Sequence, residues 1–317
     1  MSAALDHLVL IAENPAPEGA ELHVLRTADA LSLRVAMWRG TGAAGTVLVL
    51  PGRSEFIEKY FEVVADLLRR GFAVVVLDWR GQGGSQRELA DPRKGHVDDF
   101  RLYLRDLDAV LGLMDVQRLP QPWHGLAHSM GGAVLASAIA GGERRLSRAM
   151  LSAPMFGIHR APSRGWAGAL AAVLNLIGLG GWYVPGGRAH APSALDSFEG
   201  NALTSDHVRY RRTEAALIAG PDLAIGSPTV AWVAAAFRVI REFEQPDFGL
   251  YARCPMLIVA AGADTIVSTP ASEVLAERWR GASSVTIGGA RHEILMERDA
   301  LRDQFWAAFD AFIRPET

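Results

Sequence analysis

Gly125-Leu126-Ala127-His128-Ser129-Met130-Gly131-Gly132 sets a serine among small residues at the point where an apolar run gives way to a helix-like one. That arrangement suits a nucleophile elbow, in which a strained turn between strand and helix projects the hydroxyl clear of the sheet and puts a helix N-terminus beneath it. Small neighbours are required because the backbone approaches the adjacent strand and helix closely. The pattern departs from G-x-S-x-G at one position, where Ala127 stands for the first glycine and adds a single methyl. The chemistry on offer is acyl transfer through a covalent serine adduct.

Such a serine needs a histidine base, and the histidine needs an orienting carboxylate. Asp264 follows the apolar run Met256 to Ala260, and His292 lies in Gly288-Gly289-Ala290-Arg291-His292-Glu293 ahead of the last helix. Both fall at carboxyl ends of expected strands, where open α/β sheets hold their sites. His128 adjoins the serine, but neighbours on an extended strand end point to opposite faces, which assigns it packing or hydrogen bonding. Glu293 competes with Asp264 as the acid and ranks below it, because sequence neighbours rarely reach that geometry. The tetrahedral intermediate also requires two backbone donors for its oxyanion. The amide of Met130 is one, and the other is expected in Pro51-Gly52-Arg53-Ser54, at the amide of Arg53, whose side-chain direction the sequence leaves open.

These residues need a scaffold. Glu21 to Arg26 and Leu31 to Trp38 read as an opening antiparallel pair that turns near Ala28 and Asp29. Short apolar runs then alternate with helical stretches: Thr46 to Leu50, Ala73 to Leu77, Trp123 to Ala127, Ala149 to Ser152, Met256 to Ala260 and Ser284 to Ile287. Parallel strands covered on both faces read this way. Helical spacing runs over Tyr60 to Arg70, Phe100 to Met114 and Ala133 to Ala140, with Gly71 and Gly141-Gly142 as stops. After Pro154 the alternation lapses until near Pro255, so residues 155–245 are expected as an insertion over the strand ends, between core segments 1–154 and 246–317. The glycine-rich turn Asp78 to Ser85 lacks phosphate-binding spacing and reads as structural.

Half of the 317 residues are hydrophobic, enough for a large core, and the net charge of -3 comes without a basic run, which argues against nucleic acid as a partner. The single cysteine, Cys254, excludes an internal disulfide and a cysteine zinc cluster; no metal-ligand spacing occurs, so no metal is expected. Met1 to Pro15 carries Asp6, His7 and Glu13 and reads as no secretion signal, which points to the cytoplasm. Gly165 to Gly187 is uncharged and long enough to be weighed as a membrane span. Its glycines, Asn175 and Pro185 make it a poor one, and a span would part Ser129 from Asp264 and His292. With Trp166 and Trp182 it suits an acyl tunnel, a packed core or a peripheral membrane contact, and Arg160, Arg164 and Arg188 flank it as phosphate contacts or solvated ends.

The chain resembles the serine-aminopeptidase-like branch of the α/β-hydrolase superfamily, which holds bacterial lysophospholipases and monoacylglycerol lipases. The likeness rests on Pro51-Gly52-Arg53-Ser54-Glu55-Phe56-Ile57-Glu58-Lys59-Tyr60, on the D-x-R-G-x-G-x-S turn at Asp78 to Ser85, and on Arg291-His292-Glu293 with Met296-Glu297. It implies an α/β-hydrolase fold, a mostly parallel sheet flanked by helices with a helical cap at 155–245. It implies Ser129 as nucleophile, His292 as base and then acid, and Asp264 as orienting carboxylate. The activity implied is cofactor-free hydrolysis of a carboxylic ester, a lysophospholipid or monoacylglycerol, with short-chain esters, amides or lactones as alternatives. A ligand-binding receptor on the same fold is the rival, and a complete Ser, His and Asp set argues against it.

Overall fold

The computed structural model describes residues 4–161, 165–189 and 197–313. Its strands are β1 (Ala20–Arg26), β2 (Ser32–Trp38), β3 (Thr46–Leu50), β4 (Ala73–Leu77), β5 (Trp123–His128), β6 (Leu146–Ser152), β7 (Met256–Ala261) and β8 (Ala282–Ile287). They form one sheet in the order β1-β2-β4-β3-β5-β6-β7-β8. The opening pair is antiparallel, and β2 joins β4 antiparallel. Every later pairing is parallel. The unbroken apolar runs of β3, β4 and β7 are buried at every position, as strands covered on both faces must be.

Helices supply the cover. In α1 (Phe61–Arg69), Phe61, Val63, Val64 and Leu67 are buried, and the helix closes where Gly71 takes φ +82. The next two are α2 (Arg101–Val116) and α3 (Met130–Ala140), the latter starting directly after the candidate serine. Each large apolar side chain enclosed between sheet and helices contributes about 1.5–3 kcal/mol.

Between β6 and β7 the described residues add no strand to the sheet. They form α4 (Trp166–Leu174), a π turn (Asn175–Leu179), α5 (His207–Ala219) and α6 (Val230–Phe243). Asp206 caps α5 by accepting from the amide of Arg209, and Thr229 caps α6 by accepting from that of Trp232. Gly168 lets α4 lie on α6, since a Cβ there would stand 3.0 Å from the Phe237 ring. The uncharged segment turns at Gly178, where φ is +88, and no helix among the described residues is long and apolar enough to cross a membrane.

The insertion is tied to the chain after β8. Thr204 Oγ1 donates to the Met296 carbonyl at 2.7 Å, and the Glu293 amide donates to the Leu203 carbonyl at 2.8 Å. Glu297, fully buried, accepts from the amides of both Ser205 and Arg291. After β7 comes α7 (Thr269–Arg278), and α8 (Asp299–Ile313) completes the fold.

Candidate active site

Ser129 sits between β5 and α3 at φ +50 and ψ -115, a backbone state that costs a non-glycine residue about 1–3 kcal/mol. The surroundings hold it there: its amide donates to the Ser152 carbonyl at 3.1 Å, and its carbonyl accepts from Met155 at 3.0 Å. Gly131 allows the close approach, because a Cβ would stand 2.3 Å from the Leu50 carbonyl oxygen. The Ala127 methyl is fully buried and tolerated.

His292 reaches this serine across the sheet top. Its Nε2 lies 3.0 Å from Ser129 Oγ, and its Nδ1 lies 2.7 Å from Asp264 Oδ2. The other Asp264 oxygen accepts from the amides of Ile266 at 2.7 Å and Val267 at 3.0 Å. Burial works against the Asp264 carboxylate, yet the His292 bond, the His292 charge and these two amides outweigh it and hold the carboxyl below its ordinary value. An ionised Asp264 accepts a hydrogen bond from the Nδ1–H and so leaves the Nε2 lone pair toward the hydroxyl.

The loop after β3 presses on the serine, since a Cβ on Gly52 would lie 3.2 Å from Ser129 Cβ. Glu55 accepts the Gly52 amide, and Gln82 Oε1 accepts the Ser54 amide at 2.6 Å. The Arg53 amide between them, and the Met130 amide at the start of α3, have no hydrogen-bond acceptor among the described residues. Gln82 was not legible as a site residue, because its turn reads locally as structural. It contacts a neighbour of each candidate donor amide, with Oε1 on the Ser54 amide beside Arg53 and Nε2 3.6 Å from Met130 Sδ.

Glu55 also accepts from Tyr60 Oη at 2.6 Å and from Lys59 Nζ at 2.9 Å, and Lys59 binds Glu293 at 2.5 Å. Glu293 is thus engaged away from the His292 ring. Burial opposes the Glu55 charge, but Lys59 and His128 prevail and bring it down to about 2. For Glu293 burial dominates and raises the carboxyl despite Lys59. His128 corrects the alternation argument: the +50 φ at Ser129 breaks strand geometry, so both side chains line one cavity. Its Nδ1 lies 3.1 Å from the Ser152 carbonyl, and burial pushes it down to about 4. His128 is therefore a neutral hydrogen-bonding group.

The cavity holds about 370 Å³. Ser129, His128, His292, Arg53, Lys59, Glu55 and Glu293 belong to its polar wall, and Ile158, Leu203, Leu217 and Trp232 to its apolar wall. Arg160 lines a different pocket, Arg188 is exposed, and Arg164 lies outside the described residues. No group of His, Cys, Asp and Glu able to hold a metal occurs among the described residues.

Residues 41–299 match the family described as serine aminopeptidase. The chain is 35% identical over 294 residues to lysophospholipase L2 of Escherichia coli, covering 86% of this chain and 82% of the relative. It is 29% identical over 272 residues to a probable lysophospholipase L2 of Haemophilus influenzae, with 86% and 84% covered. Among solved structures, a soluble variant of monoglyceride lipase from Saccharomyces cerevisiae superposes with a TM-score of 0.73 at 18% identity, over 94% of this chain and 97% of that one. A carboxyl esterase from Bacillus coagulans superposes at 0.74 with 15% identity, over 94% and 98%. At these identities the two structures speak for the fold.

Proposed function

Because the chain belongs to the serine aminopeptidase family of α/β-hydrolases and is a carboxylic ester hydrolase of the lysophospholipase or monoacylglycerol lipase kind, we propose that Ser129, His292 and Asp264 perform its chemistry. The observation that carries this is the continuous chain from Asp264 Oδ2 through both nitrogens of His292 to Ser129 Oγ, at 2.7 and 3.0 Å. His292 Nε2 takes the hydroxyl proton as Oγ attacks the ester carbonyl. The charge that develops on the carbonyl oxygen is received by the amides of Arg53 and Met130. Collapse breaks the bond to the alcohol, which leaves with the proton from His292. Water then attacks the acyl-serine by the same route in reverse and releases the fatty acid.

Residues 155–245 act as the cap, with their apolar side chains receiving the acyl chain. The relatives named for lysophospholipid and monoglyceride hydrolysis support a lipid ester as substrate. A membrane-facing cap is supported by Trp166, Leu176 and Trp182, whose exposures of 80%, 86% and 65% put large apolar surface in water.

The test is acyl release, followed by mass spectrometry, from lysophospholipids, monoacylglycerols, short p-nitrophenyl esters and aminoacyl amides, with wild type and Ser129→Ala. Serine-dependent turnover of the lipids is expected. Turnover of short esters or amides alone overturns the lipid assignment, and full activity in Ser129→Ala overturns the nucleophile.

A further inference from the structure

The cavity wall holds two cations in opposite circumstances. Lys59 is clasped by Glu55 and Glu293 at 2.9 and 2.5 Å. Arg53 has no carboxylate on its guanidinium among the described residues. Its Nη1 donates to Ser54 Oγ at 3.0 Å, its Nη2 donates to the Gly226 carbonyl at 2.5 Å, and its Nε is buried without a partner among them. A guanidinium has five N–H donors, so most of the fork is unused. Among the other buried arginines, Arg34 is paired with Glu58 and Asp78 and Arg80 with Asp29 and Asp106, while Arg87, also without a carboxylate, gives Nε, Nη1 and Nη2 to the carbonyls of Pro92, Ser85 and Asp222.

The seat of Arg53 is shaped for it. Its guanidinium carbon lies 5.3 Å from the centroid of Trp232, within cation–π range. Gly95 leaves the space, since a Cβ there would stand 2.4 Å from Nη2. Burial without a counter-charge brings the group down to about 10, which still leaves it cationic at neutral pH. A desolvated, unpaired charge costs stability, and it persists where something else supplies the opposite charge.

We infer that Arg53 is a specificity-determining residue that receives the phosphate of an anionic head group on the alcohol side of the ester. This rests on the ester-hydrolase reading above. The acyl chain requires the apolar wall of Ile158, Leu203 and Leu217, so a charge on the substrate belongs to the other side of the scissile bond. The wall's carboxylates, Glu55 and Glu293, are tied to Lys59 and leave the guanidinium as the free charge among the described residues. Phosphate oxygens match the planar fork through two parallel N–H bonds, a geometry that lysine does not offer. A neutral monoacylglycerol gains nothing from this contact.

The measurement is kcat/KM for a lysophosphatidic acid and a monoacylglycerol of the same acyl chain, in wild type, Arg53→Met and Arg53→Lys. The readout is the ratio of the two values, because any disturbance of the Arg53 amide lowers both. The ratio falls about 10- to 100-fold in Arg53→Met and less in Arg53→Lys. An unchanged ratio overturns the inference. Calorimetric titration of Ser129→Ala with glycerol 3-phosphate and with glycerol gives a second reading that needs no turnover. Binding of glycerol 3-phosphate alone, abolished by adding Arg53→Met, supports the phosphate seat even in a protein that releases no acyl chain, which would sink the ester reading only. Absence of that binding overturns the seat even where lipids are hydrolysed.

Discussion

Glu55 accepts the amide hydrogen of Gly52, one residue before the amide assigned to the oxyanion. On the far side the Ser54 amide is taken by Gln82, and Ser54 itself stands at φ +66. The loop is thus pinned on both flanks with the Arg53 N–H left over, an arrangement that requires no reorganisation when charge develops.

Glu55→Gln keeps the shape of the side chain, removes its charge and lets the amide turn its donor toward Gly52. Loss of a full oxyanion donor costs about 10²–10³ in kcat, and a loosened one should cost about tenfold or more with little change in KM. Steady-state kinetics on a p-nitrophenyl ester would decide it. A rise in KM at unchanged kcat would assign Glu55 to substrate binding instead.

The choice of acid rests on opposite surroundings. Asp264 gives one oxygen to His292 and the other to two amides, whereas Glu293 is bound by Lys59. Asp264→Asn should lower kcat by about 10⁴ through the wrong histidine tautomer. Glu293→Gln should lose far less, and the reverse ranking would exchange their roles.

Strand content was legible because buried parallel strands are bare apolar runs: β3 and β4 span the predicted residues. The misses are where that signal thins. β6 begins at Leu146 rather than Ala149, since Leu146 and Arg148 pair with β5 around an irregularity at Ser147 that breaks the apolar pattern, and β8 begins at Ala282 among exposed serines. The meeting of Ser129, Asp264 and His292 was legible because each follows a recognisable strand at its carboxyl end. Gln82 and Glu55 were not, because their partners are backbone amides that a sequence does not display, in the case of Gln82 a contact across 28 residues. The Arg53 side chain was undetermined for the same reason: Gly226, its acceptor, lies 173 residues away.

His128 makes the fold sensitive to mild acid. Its folded value of about 4 lies below the 6.5 of an exposed imidazole, so the unfolded chain binds the proton first as pH falls. Its contribution is undiminished above about pH 6.5 and is lost progressively from there down to about pH 4. Glu55, held near 2, gives up its contribution only as pH falls from about 4.5 toward 2, while Glu88, pushed up to about 7 by burial, works in the opposite sense. Comparison of wild type with His128→Gln by urea unfolding isolates the histidine. The difference in stability should move toward the variant by about 2 kcal/mol between pH 7.5 and pH 5. A difference independent of pH would show that His128 titrates normally in the folded protein.

The outer face of α4 carries the last prediction. Trp166, Leu170, Val173 and Ile177 recur at helical spacing and are all exposed, while Gly168 and Ala171 on the opposite face pack inward. Leu176 adds to the patch before the Gly178 turn, and Trp182 adds exposed apolar surface after it. An apolar stripe of this kind on a segment with no charge gains free energy at a lipid interface without spanning it, roughly 1–2 kcal/mol for each large side chain that transfers. Each of Trp166→Ser and Leu176→Ser should therefore weaken binding to phospholipid vesicles by about tenfold, measured by co-sedimentation. Their turnover of a short water-soluble ester should be unaffected, because neither residue lines the cavity that holds Ser129. Vesicle binding equal to that of wild type in the double variant would mean that this face meets another surface than lipid.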